Sequence, residues 1–307
     1  MKKIILFLIA FLTSFTTYAQ DCEMPLHVVI YQGAQQLDAS SINLMTNKLR
    51  QIVVKNGIVG GSDASTFAIT ADVDVINKEI IAGSPTKYIY VLNVNLYIAN
   101  TYDQTIYAST SVEVRCAGNS ETKAFVEGIK RISPNNAEVQ AFVKAGKDKI
   151  LAYYDKNYKN IIKQAKAKAA LYEYEEAIFL LMAVPVCSIG YDTCMKEVKN
   201  IFQQYIDRQC DENLANAQAA WMSGFSKENA SVAAVFLSEI YPDAACYSDA
   251  QALVKEIKKH MGEEWKFEMK QWDGLVDVEK QRLTYAREIA IAFAQNQPDQ
   301  VVGFLFK

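Results

Sequence analysis

Tyr88-Ile-Tyr-Val-Leu-Asn-Val-Asn-Leu-Tyr-Ile98 sets Leu92, Val94, Leu96 and Ile98 against Val91, Asn93, Asn95 and Tyr97 in strict alternation. A period of two sends successive side chains to opposite faces, so this stretch is a strand with one buried face. The polar tetrad Asn100-Thr101-Tyr102-Asp103 suits a hairpin and joins it to a second strand-like run, Thr105 to Cys116. A third run, Thr66 to Ile76, precedes it, and Leu26 to Tyr31 is a short apolar run that Gly33 ends. Between these runs the period becomes helical. Ile42, Met45, Leu49, Ile52 and Val53 share one face, Asp38 or Ser40 is the candidate cap, and Asn56-Gly57 closes the helix. A second helix is predicted from Ser120 to Ile132.

The resulting order β, α, β, β, β, α gives a small α+β domain, mostly antiparallel, with helices on one face of the sheet. Beyond about Asn135 the strand signal vanishes. Ala177-Ile-Phe-Leu-Leu-Met-Ala-Val-Pro185 recurs as Ala234-Val-Phe-Leu-Ser-Glu-Ile-Tyr-Pro242, and a cysteine, a tyrosine and a new helix follow each copy. Each unit reads as a long helix followed by a short one. Long helices are expected near residues 137–171, 192–224 and 247–294, with possible breaks at Gly146, Cys210 to Glu212 or Gly274. The fold class is therefore α+β, an amino-terminal sheet domain followed by an all-α repeat domain.

Met1-Lys2-Lys3 and the apolar run after it form a charged n-region and a short h-region, and Thr17-Tyr18-Ala19 offers small residues at the positions a signal peptidase reads. The expected division is a signal peptide at 1–19, an α+β domain at 20–134 and a helical repeat domain at 135–307. Loss of Lys2 and Lys3 takes the formal charge from -3 to -5. That balance supplies no basic surplus for a phosphate backbone, so nucleic acid is not an expected partner. No later run is long and apolar enough to span a bilayer, and the mature chain is expected in the periplasm or outside the cell.

Six cysteines, Cys22, Cys116, Cys187, Cys194, Cys210 and Cys246, form an even set without C-x-x-C spacing, which favours disulfides over redox or zinc chemistry. Asp21 directly before Cys22 departs from a lipoprotein signal. Cys22 could meet Cys116 across the sheet, and Cys187 and Cys194 bracket one loop. A continuous helix separates Cys194 from Cys210 by about 24 Å, too far for a bond. Climbing from Cys210 to Gly224 and descending to Tyr241 returns the chain to the level of Cys210, which pairs Cys210 with Cys246.

The helix ending in Leu49-Arg50-Gln51-Ile52-Val53-Val54-Lys55-Asn56-Gly57, the hairpin strands, and Gly118-Asn119-Ser120 leading into a helix with Ala124 resemble the small α/β domains of bacterial envelope proteins. The relevant types are the TolB amino-terminal domain, LpoB and the curli-export lipoprotein. Likewise Ala167-Lys-Ala-Ala-Leu-Tyr-Glu-Tyr-Glu-Glu-Ala177-Ile resembles a tetratricopeptide turn. These resemblances imply an envelope protein that works through protein contacts.

No catalytic constellation is visible. His27 and His260 are far apart, Asp72 and Asp74 share one face of a strand, and Gly57, Gly60 and Gly61 lack the order of a phosphate loop. No metal site and no cofactor is expected. Trp265, Met269 and Trp272 follow i, i+4, i+7 spacing, which reads as a core stripe of the last long helix or, as the functional alternative, as a stripe open to a partner. Phe304 and Phe306 lie in an apolar end that packs back or adds to another protein's sheet. The expected function is an exported, non-enzymatic scaffold for an envelope or secreted protein. A regulatory factor that activates a cell-wall enzyme in the manner of LpoB is the alternative, and a carboxylate-dependent hydrolase stands behind both.

Overall fold

The computed structural model describes residues 24, 26–30, 38–56, 67–101, 104–262, 265–274 and 276–296. It is an α+β structure whose order is β1 (His27–Val28), α1 (Ala39–Lys55), β2 (Phe67–Ile81), β3 (Lys87–Asn100), β4 (Ile106–Gly118), α2 (Glu121–Arg131), α3 (Ala137–Ala170), α4 (Tyr174–Met182), α5 (Tyr191–Met222), α6 (Lys227–Ser238), α7 (Tyr247–Met261) and α8 (Val278–Gln295). The signal-like segment, Cys22, Gly57, Gly60, Gly61, Phe304 and Phe306 lie outside the described residues.

The sheet has the order β1-β2-β3-β4, with β1 parallel to β2 and the other pairs antiparallel. In β3 the expected alternation holds. Leu92, Val94, Leu96 and Ile98 are buried on one face, each worth about 1.5–3 kcal/mol of burial, while Asn93, Asn95 and Tyr97 face the other way. β2 runs five residues past the expected end at Ile76. An irregular register between Val75 and Asn77 breaks the alternation there, so the sequence pattern stops before the strand does.

Helices cover the apolar face. α1 begins at Asp38, whose Oδ1 accepts the N–H groups of Ser40 at 2.9 Å and Ser41 at 3.1 Å, which settles the cap between the two candidates. α2 approaches through Gly128, where a Cβ would stand 2.9 Å from Leu92 Cδ1 and 3.0 Å from Cys116 Sγ. The first half of α3 closes the rest. Gly146 lies so near the sheet that a Cβ there would stand 2.6 Å from Ile98 Cδ1. Beside it, Phe67 packs edge-on against Tyr107 and Tyr154.

The second half of α3 continues into the short α4, the long α5 and the short α6, and then into α7 and α8 of similar length. The loops ahead of α5 and α7 close alike. Asp155 Oδ1 accepts the Ile189 N–H at 3.0 Å, and Asp207 Oδ1 accepts the Ala245 N–H at 2.8 Å. Tyr191 N–H then donates to Ser188 O and Tyr247 N–H to Ala244 O, both at 3.0 Å. α3 and α5 match the long helices expected, and Gly146 and Cys210 to Glu212 interrupt neither. The third does not hold together. α7 stops at Met261, residues 265–274, 276 and 277 carry no helix, and α8 returns to α4, with Phe293 against Phe179 at 5.2 Å.

Cys210 and Cys246 are disulfide-bonded, with Cα atoms 5.9 Å apart, as the helix arithmetic required. The local pair Cys187–Cys194 is absent. Cys194 is a free, buried thiol one turn into α5, pointing into the core, while Cys187 is disulfide-bonded elsewhere. Cys116 is also free and buried against α2, which removes the expected pairing with Cys22.

Two outcomes are expected. Asp38→Ala should lower stability by about 1 kcal/mol in urea unfolding at pH 7. The hydroxyl and amide groups of Ser40 and Ser41 hold the Asp38 carboxyl down to about 2. A depressed carboxylate stabilises above its unfolded value and loses that contribution as pH falls through its folded one, so wild type and variant should converge as pH falls from about 4 toward 2. Burial and the nearby Glu197 push the Cys194 thiol up to about 11. Alkylation of the native protein at pH 8 should therefore miss Cys116 and Cys194, whereas both should react after unfolding without reductant.

Candidate functional site

α7 buries Ala250, Leu253, Val254 and Ile257, which turns Lys255, Lys258 and Lys259 outward. Gly262 ends the helix at φ 79 and ψ -178, a conformation open to glycine and strained for any other residue. The chain reverses there, and Trp265 N–H donates to Gly262 O at 3.3 Å. It then runs back along α7, because the Tyr247 hydroxyl at the start of that helix donates to Lys270 O at 2.6 Å.

Along this return segment burial has a period of two. Trp265, Phe267 and Met269 turn toward the protein, and Lys266 and Glu268 are exposed. The Trp265 and Phe267 rings stack at 5.4 Å, tilted by 34°. Between the segment and α7 lies a groove of about 1020 Å³. Lys255, Lys258 and Lys259 form one wall and Trp265, Lys266, Phe267 and Glu268 the other. Among the described residues four lysines thus face one carboxylate, and none of the four has an ion-pair partner there; Glu263 and Glu264, next in sequence to Gly262, lie outside the described residues. Lysines in the last turn of a helix complement its dipole, which accounts for Lys258 and Lys259. It accounts for neither Lys255, further back, nor Lys266 on the opposite wall. Ammonium groups beside aromatic rings, on a chain of net negative charge, make a site that attracts carboxylates and shelters an apolar group.

The stripe of Trp265, Met269 and Trp272 is not helical, and the three do not share a surface. Trp265 lines the groove. Met269 is buried at 9% exposure, and Trp272 packs on Tyr241 and Tyr285 while its Nε1 donates to Asp243 at 2.7 Å. The spacing misled because Trp265 and Met269, with Phe267 between them, also satisfy a period of two, and Gly262 had already ended the helix. Lys255, Lys258, Lys259 and Phe267 went unnoticed. Their signal was a lysine face ending in a glycine, ahead of an aromatic alternation.

The other candidates stay apart. His27 is in β1, and His260 at the end of α7 packs on Trp221 and Phe225. Burial pushes the Asp72 carboxyl up, aided by the charge of Asp74, while Asp74 accepts from Asn95 Nδ2 at 2.8 Å. Both carboxylates lie on the sheet's polar face, opposite Asn95 and Asn93. Among the described residues no group of three or more His, Cys, Asp or Glu side chains could hold a metal ion, and no helix is long and apolar enough to cross a membrane.

Gly262→Ala puts a Cβ into open space, so only backbone strain opposes it. The variant should lose about 1–3 kcal/mol and expose Trp265, read as a red shift of tryptophan emission before unfolding.

No family model matches the chain, and no curated protein matches it. Among solved structures, a protein of Caulobacter crescentus described provisionally as a lipoprotein aligns with 9% identity and a TM-score of 0.21, over 40% of this chain and 85% of that one. A likeness of that size carries no argument about fold or function.

Proposed function

We propose that this chain is an exported, non-enzymatic interaction protein of the bacterial envelope, and that the groove between α7 and Trp265–Glu268 is where a partner protein docks. The groove is the observation that carries the reading. It gathers four lysines without ion-pair partners among the described residues and two stacked rings onto one surface of an acidic chain. The signal-like start at Met1 to Ala19 and the Cys210–Cys246 bond support export into an oxidising compartment. On this reading the alternating long and short helices α3 to α6, likened above to tetratricopeptide units, act as the frame that presents the groove. A regulatory factor acting on a cell-wall enzyme differs only in the partner captured.

In-cell photo-cross-linking tests it, with a photoreactive residue replacing Lys266 and mass spectrometry of envelope and medium. One envelope or secreted protein trapped at that position is the expected outcome, and a cell-wall enzyme would select the regulatory form. Recovery of the uncross-linked monomer alone, free in the medium, would overturn the proposal.

A further inference from the structure

Resting on that reading, we infer that the groove takes an extended acidic segment of its partner, with carboxylates at alternate positions flanking an apolar residue. Three observations converge on this chemistry. First, Lys255 and Lys259 are four residues apart on α7, about 6 Å along the axis, close to the roughly 6.6–6.8 Å that separates alternate side chains of an extended chain. Acidic residues two apart on an incoming strand therefore meet the two ammonium groups in register. Second, the opposite wall has a free main chain. Residues 266–268 make no backbone hydrogen bond among the described residues, although their burial alternates like that of a strand. Such a backbone can pair with an added extended peptide, which gains main-chain hydrogen bonds while the groove reads its side chains.

Third, the signs discriminate. Lys255, Lys258, Lys259 and Lys266 oppose only Glu268 among the described lining residues, so a basic or neutral segment lacks the complement an acidic one has. The stacked Trp265 and Phe267 rings give the intervening residue an apolar floor. A purely polyanionic ligand would use the lysines and leave both the rings and the free main chain unused.

The test uses the full-length mature protein and a fluorescein-labelled peptide, Glu-Val-Glu-Phe-Glu, read by fluorescence anisotropy against its Gln-Val-Gln-Phe-Gln counterpart. The acidic peptide is expected to bind, more weakly as salt rises, and the glutamine peptide to bind at least about fivefold less well. Lys255→Gln combined with Lys259→Gln alters two exposed side chains and should leave thermal unfolding unchanged while weakening binding about 5- to 30-fold. Trp265→Ala should weaken the acidic peptide and leave heparin binding, if any, unaltered. Equal binding of both peptides would overturn the inference. So would heparin binding that depends on Lys255 and Lys259 while the peptide fails, which would give the groove to a polyanion. A partner still cross-linked at full yield in the double lysine variant would remove the acidic segment and keep the interaction protein.

Discussion

The architecture depends on how closely α3 can lie against the sheet. The apolar row Leu92, Val94, Leu96 and Ile98 must be covered, and α1 and α2 cover only part of it. Gly146 lets the backbone of α3 settle onto Ile98, and Phe67, Tyr107 and Tyr154 fill the flank. A Cβ at that position would stand 2.6 Å from Ile98 Cδ1, and the end of that side chain would have to turn aside to keep the helix seated. Because α3 has 34 residues, about 51 Å of stiff rod, its seat on the sheet also fixes where α4 and α5 begin. Sheet and helices are packed around one helix that belongs to both.

The groove is a downstream result of the same geometry. α8 returns to α4 and α5, where Lys199 of α5 pairs with Glu279, and Arg282 reaches Asp243 in the loop ahead of α7 at 3.1 Å. The chain between α7 and α8 must therefore cross the ends of α6 and α7. Tyr247 holds it at Lys270, and Asp243, Tyr241 and Tyr285 hold it at Trp272. Tied to Gly262 through the Trp265 N–H at one end and to Tyr247 through Lys270 at the other, the return segment leaves beside α7 the space that Trp265 and Phe267 line. Its walls are thus set in part by structural contacts that lie outside the groove itself.

Sequence reading succeeded where one physical rule dominated. Alternation in Tyr88 to Ile98 located the central strand, and rise per residue selected Cys210 and Cys246 from among the possible pairs. It failed where two rules competed. Trp265, Met269 and Trp272 fit a helical period, yet Trp265, Phe267 and Met269 fit a period of two, and only the break at Gly262 decides between them. Cys187 and Cys194 are neighbours in sequence, but the second faces a helical core and the first does not. The lysines of the groove were invisible because three come from a helix and one from the segment that folds back on it. Their meeting is a tertiary fact.

The irregularity at Ile76 bears on how the protein avoids its own kind. Among the described residues β2 is paired on its outer side only where β1 meets Ala68 and Ile69, and Val75, Ile76, Ile80 and Ile81 are 44–57% exposed beyond that point. A long, greasy, open edge ordinarily recruits further strands. Here the phase of the side chains flips midway. A regular incoming strand that matches the faces before Val75 is out of step after Asn77, and one that matches the second half is out of step with the first. The edge is legible to a short guest and illegible to a long one, and Asp72, Asp74, Lys78 and Glu79 on the same strand add their charge to that break in phase against runaway fibre growth.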